Sequence, residues 1–169
     1  MKRREALILG AAASAALGAG ALVGALGIQS ASGAAKLLAS SFPDLSGRPR
    51  WLSDWQGRVV LFNFWATWCT PCREEMPVLD AVAQKYGFSA VGIGIDSVSK
   101  IRDFVANYAL RYEMLVAGAE AVQLMKDLGN PSGGLPFSLL LDRSGRLSSR
   151  KLGAFDRREL EGMVTPLLR

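Results

Sequence analysis

Strand and helix signals alternate along most of the chain. Val59 to Phe64 is an apolar run broken only by Asn63, the pattern of a strand buried on both faces. From Pro71 to Tyr86, Met76, Leu79, Val82, Ala83 and Tyr86 recur at three- and four-residue spacing, which predicts a helix stopped by Gly87. Ala90 to Ile95 reads as a second buried strand, with Gly92 and Gly94 admitting close helix packing, and Lys100 to Tyr108 as a helix. Glu113 to Val116 predicts a short strand, and Ala119 to Leu128 a helix closed by Gly129-Asn130-Pro131. Phe137 to Leu141 and Arg146 to Gly153, joined by Asp142-Arg143-Ser144-Gly145, read as a hairpin, and Asp156 caps a last helix reaching about Leu168. This order predicts an α/β fold: a mixed central sheet with helices on both faces.

The first third is organised differently. Met1 to Glu5 is basic, Ala6 to Ile28 carries no charge, and small residues follow at Ser30 to Ala34. That is the layout of an export signal over residues 1–34. Cleavage among residues 30–35 would release a soluble protein, while the same stretch is long enough to remain as a membrane anchor. Arg3-Arg4 followed by a mildly apolar core also resembles a twin-arginine signal without its full consensus. Either way the domain works outside the cytoplasm, in the periplasm or on the outer face of the membrane, and touches the membrane only through this segment. Residues 35–41 read as a linker, leaving 42–169 as one domain. Turn residues crowd the lead-in at Phe42 to Pro49.

Composition removes most chemistries. The 169 residues include no histidine and two cysteines. His-ligated metals, Ser-His-Asp and Cys-His catalysis and a four-thiolate site are therefore excluded within one chain. The formal charge of +5 contains no long basic run, so it favours solubility and not nucleic-acid binding.

What remains is Cys69-Thr70-Pro71-Cys72, where a buried strand gives way to a helix. Two cysteines three apart across a first helical turn close a disulfide with little movement. When reduced, the first faces the unpaired N–H groups and positive dipole end of the helix. That lowers the pKa of Cys69 and makes it the attacking thiolate, with Cys72 as the more buried resolving thiol. Zinc would need two further ligands that no Cys or His supplies, and a purely structural bridge over so small a loop gains little chain entropy.

Asn63-Phe64-Trp65-Ala66-Thr67-Trp68-Cys69-Thr70-Pro71-Cys72-Arg73-Glu74-Glu75-Met76-Pro77 resembles the active-site segment of the thioredoxin superfamily, particularly its exported TlpA/ResA/CcmG branch. The resemblance covers about residues 42–169. It implies a thioredoxin fold with a strand–helix insert around residues 96–116, a helix kink at Pro77, and a cis-proline loop at Leu135-Pro136-Phe137. In that loop the Leu135 backbone pairs with an extended substrate; without the resemblance an ordinary trans turn would be preferred. Trp68, Thr70 and Pro71 complete the expected substrate-contact surface, whereas Trp51, Trp55 and Trp65 read as core or sheet-edge packing. Asn63 stands where thioredoxin has a titratable aspartate, so that proton route is absent. Asp96 is the candidate for proton handling, or else it caps the helix that follows.

The uncharged Thr70-Pro71 pair predicts a reducing couple, nearer roughly −270 mV than roughly −120 mV. The resemblance implies disulfide-bearing client proteins and a membrane electron donor of the DsbD/CcdA type, with no cofactor and no metal. Reduction of clients in cytochrome c maturation or at copper-site thiols is the leading expectation. A thiol-dependent peroxidase and a Cu(I) chaperone are the alternatives.

Overall fold

The computed structural model describes residues 33–169. The export segment expected over residues 1–34 therefore lies, apart from Gly33 and Ala34, outside the described residues. No helix among the described residues is long and apolar enough to cross a membrane.

β1 (Ser41–Pro43) and β2 (Pro49–Trp51) form a small antiparallel pair, followed by a short 3-10 helix at Leu52–Trp55. The main sheet comprises β3 (Val60–Trp65), β4 (Ser89–Ile95), β5 (Glu113–Ala117), β6 (Phe137–Leu141) and β7 (Leu147–Leu152), in the order β5-β4-β3-β6-β7. β3 runs parallel to β4 and antiparallel to β6, so the sheet is mixed, as the alternation of elements implied. The helices are α1 (Thr70–Tyr86), α2 (Val98–Tyr108), α3 (Glu120–Asp127) and α4 (Arg157–Leu168). The inserted unit is α2 with β5, a helix and then a strand added at the sheet edge.

Every residue of β3 is buried, which is why its sequence is a run and not an alternation. Phe62 and Phe64 share one core with α3 residues Leu124 and Met125. On the other face Leu61 meets Leu79 and Val82 of α1 and Leu160 and Val164 of α4. A third cluster, with Trp65, Met76, Ile101, Phe104 and Met114, encloses the two cysteines. Gly94 makes room for α2, since a Cβ there would lie 2.5 Å from Ile101 Cδ1. At Gly92 the space is taken by the side chains of Met114 and Trp65, neighbours within the sheet and not a helix.

Residues 35–41 are not a linker. Residues 33–38 are helical, and Leu37 is fully buried in the same core cluster as Leu52, Trp55 and Leu128, so the compact unit begins at Gly33. The Leu37-Leu38 pair drives this, because leaving it in water would forgo about 1.5–3 kcal/mol for each side chain. The turn between β1 and β2 is held by Asp44, whose carboxylate accepts from the N–H groups of Ser46 and Arg48 at 2.8 and 3.0 Å. Asp44 also bridges to Leu115, tying the small sheet to the outer strand β5. Trp55 and Trp65 are core residues as expected, while Trp51 is more than half exposed on β2.

Candidate active site

Cys69 is the N-cap of α1, with extended backbone angles, and Pro71 occupies its first turn. The carboxyl end of buried β3 fixes this helix start in space, and the 66–68 turn delivers Cys69 to it. Cys69 and Cys72 are joined as a disulfide with Cα atoms 5.3 Å apart. The Cys72 N–H points at Cys69 Sγ at 3.3 Å, so the helix terminus presents a backbone donor to the first sulfur. Cys69 retains 6% exposure and Cys72 none, the ordering expected of an attacking and a resolving thiol. Pro77 lies inside α1 without ending it.

Trp68 is 68% exposed beside Cys69, and Thr70 and Pro71 are also exposed. A cleft of about 370 Å³ opens on the far side of Thr70, lined by Arg73, Glu74, Pro77 and Tyr108, where the Arg73 guanidinium donates to Tyr108 Oη at 3.3 Å. The Leu135–Pro136 bond is cis, and Leu135 packs against the cluster that holds the cysteines, so that loop and the disulfide do come together. Phe137 does not join them. It is 1% exposed and packs on Phe64 in the opposite core, while its backbone pairs with both β3 and β7, so its side chain is unavailable to a client.

Asp96 is not placed to handle protons but is bound on all sides. It accepts from the Thr67 hydroxyl and, at 2.7 Å, from the Ser97 N–H, and pairs with Lys100 at 3.3 Å. Partial burial works against its charge, but the hydrogen bonds from Thr67, Ser97 and Lys100 outweigh it and hold the carboxyl below its ordinary range. A group held ionised in this way is a poor proton donor. Nor is it the helix cap, which is Ser97. Asp96 ties the turn before Cys69 to the start of α2.

A buried carboxyl lies one helical turn past Cys72: Glu75, 2% exposed. Asn63 Nδ2 donates to its Oε1 at 2.8 Å and the Phe155 N–H to its Oε2 at 3.2 Å. Burial, only partly offset by these bonds, pushes its carboxyl up to about 7. Asn63 also donates to Ser138 Oγ at 2.9 Å, while its own Oδ1 has no partner among the described residues. The sequence offered a signal for Glu75. Cys72, Glu75, Met76, Leu79, Val82 and Ala83 form one buried helical stripe, and Glu74 falls outside it. Among the described residues no group of three or more acidic or cysteine side chains is placed to hold a metal ion.

Residues 34–166 match the AhpC/TSA family. The thiol-disulfide oxidoreductase ResA of Bacillus cereus is 31% identical over 126 residues, 72% of this chain and 70% of that protein. A thiol:disulfide interchange protein of the thioredoxin family from Chlorobium tepidum superposes with a TM-score of 0.68 at 26% identity, covering 77% of this chain and 93% of that one. A secreted Mycobacterium tuberculosis disulfide oxidoreductase homologous to E. coli DsbE does so with a TM-score of 0.66 at 26% identity, over 78% and 98% of the two chains. With the cysteine pair at the helix start and the loop facing it, these likenesses converge: the chain belongs to the AhpC/TSA family and is a thioredoxin-fold thiol–disulfide oxidoreductase of the ResA type.

Proposed function

We propose that the protein is an exported reductase of disulfides in client proteins. The Cys69 thiolate attacks one sulfur of a client disulfide, and the other client sulfur leaves as a thiolate that takes up a proton. Cys72 then loses its proton and attacks Cys69, expelling the second client sulfur. Two electrons pass to the client, and the Cys69–Cys72 disulfide is left to be reduced again by a membrane donor of the DsbD/CcdA type. Trp68, Thr70, Pro71, Leu135 and Pro136 form the client-contact surface, with the client lying extended along Leu135. Glu75, not Asp96, exchanges the Cys72 proton, since it is the buried carboxyl on the Cys72 face of α1 and titrates near neutrality. Clients in cytochrome c maturation or with copper-site thiols fit a reducing pair outside the cytoplasm, and the secreted relative from M. tuberculosis supports that location.

The observation that carries this reading is the placement of the more exposed sulfur, Cys69, at the helix cap with the Cys72 N–H aimed at it. Trapping tests it. Cys72→Ser accumulates mixed disulfides through Cys69, and their identification names the clients, whereas Cys69→Ser accumulates none. Equal trapping by both variants overturns the assignment of the nucleophile. Stoichiometric peroxide consumption by the reduced protein, with no client trapped, would favour the peroxidase alternative.

A further inference from the structure

Asn130 belongs to the Gly129-Asn130-Pro131 stop after α3, yet its side chain does not end the helix. Backbone bonds do that: the Leu128 N–H donates to Leu124 O at 3.0 Å and the Gly129 N–H to Lys126 O at 3.1 Å, with Gly129 at φ +98°. The Asn130 residue is 1% exposed, and apart from a contact of Nδ2 with Met125 Sδ at 4.0 Å its amide bonds to the loop ahead. Nδ2 donates to Gly134 O at 2.8 Å, while Oδ1 accepts from the Gly134 N–H at 3.3 Å and from the Ser132 hydroxyl at 2.9 Å. Gly133, at φ +65°, returns its N–H to Asn130 O at 3.0 Å. One side chain thus grips both peptide groups of the residue preceding Leu135. Among the described residues, no backbone hydrogen bond outside the regular elements engages Leu135 itself.

From this geometry we infer that Asn130 is a positioning residue for client binding: its amide fixes the Gly134 backbone, and through it the direction in which Leu135 offers its peptide groups to an extended client segment. The inference rests on the reductase reading above. The task needs a donor and an acceptor on one short planar group. Aspartate lacks the donor and would set a carboxylate against Gly134 O, and alanine supplies neither function.

The test compares two probes that share a leaving group. One is a short peptide whose single cysteine is bonded to thionitrobenzoate; the other is mercaptoethanol bonded in the same way. With either probe, Cys69 of the reduced protein attacks the sulfur remote from the ring, a new disulfide forms, and coloured thionitrobenzoate leaves. Only the peptide has a backbone to lay along Leu135. The wild type prefers the peptide, and Asn130→Ala lowers the peptide-to-mercaptoethanol rate ratio roughly tenfold. Ser132→Ala, which removes one of the two donors to Oδ1 and a second acceptor of the Gly134 N–H at 3.2 Å, lowers it in the same direction by roughly two- to threefold, and decides the matter alone if Asn130→Ala does not fold. An unchanged ratio in a folded variant, with both rates falling together or neither falling, overturns the inference. A wild type that reacts with neither probe, or shows no peptide preference, overturns instead the reading on which it rests.

Discussion

Glu75 makes the stability of the oxidised protein depend on pH in a window where little else titrates. Its carboxyl loses its proton at about 7 in the fold, against 4.5 in its ordinary setting. Between these values the native protein keeps a proton that the unfolded chain has released, so stability falls as pH rises, then levels off above about 7. Below 4.5 both states are protonated and the penalty vanishes. The interval corresponds to about 3 kcal/mol at full extent. Opposing carboxylates act lower. Asp96, Asp127 and Asp142 are held below 3.8, so the stability they contribute is present above that value and lost only as pH falls beneath it. The chain has no histidine to blur the window. Urea unfolding of the disulfide form, which keeps both cysteines out of titration, should show a decline between about pH 5 and about pH 7.5. Glu75→Gln should flatten it and stabilise the protein at the upper end. Its amide oxygen keeps the bond from Asn63 Nδ2, and the side chain carries no charge to hold out of water. A wild type with flat stability across that range, or a glutamine variant that keeps the slope, would refute the reasoning.

Two further outcomes test the scaffold. Gly94→Ala should destabilise the fold by about 1–3 kcal/mol in denaturant titrations, because the new Cβ falls 2.5 Å from Ile101 Cδ1 and Ile101 is fully buried; a neutral result would mean that α2 can shift freely. Asp156→Ala should cost about 1 kcal/mol, since Asp156 Oδ1 accepts from the Glu159 N–H at 2.8 Å at the start of α4, and an unchanged unfolding midpoint would remove that cap from the account.

The succession of strands and helices and the redox pair are legible because they are written in strong local signals: the apolar run of β3, the stripe of α1 ending at Gly87, and two cysteines with nowhere else to bond. Boundaries moved by only a few residues. Residues 33–38 were not legible, since one turn and a half of helix carries too little periodicity to stand out beside a long apolar segment. Glu75 is hidden in the sequence for a different reason. Arg73-Glu74-Glu75 looks like a solvated charged run, and only phasing against Cys72 and Met76 separates the buried glutamate from its exposed neighbour. For Asp96, position along the chain says where a carboxylate lies but not that a hydroxyl, an amide and an ammonium surround it. Phe137 goes with Pro136 in the loop by its place in the sequence, but both faces of β6 are buried, so its side chain enters a core whichever face it takes.

The bridge from Asp44 to Leu115 has a consequence for how the main sheet meets other polypeptides. An open outer strand would invite any exposed segment to zip on by main-chain pairing, and β5 is guarded at that border by the small sheet. The opposite border, β7, carries Arg150 and Lys151, whose desolvation would oppose such pairing. Both flanks of the sheet thereby resist uninvited strand pairing, one by cover and the other by charge.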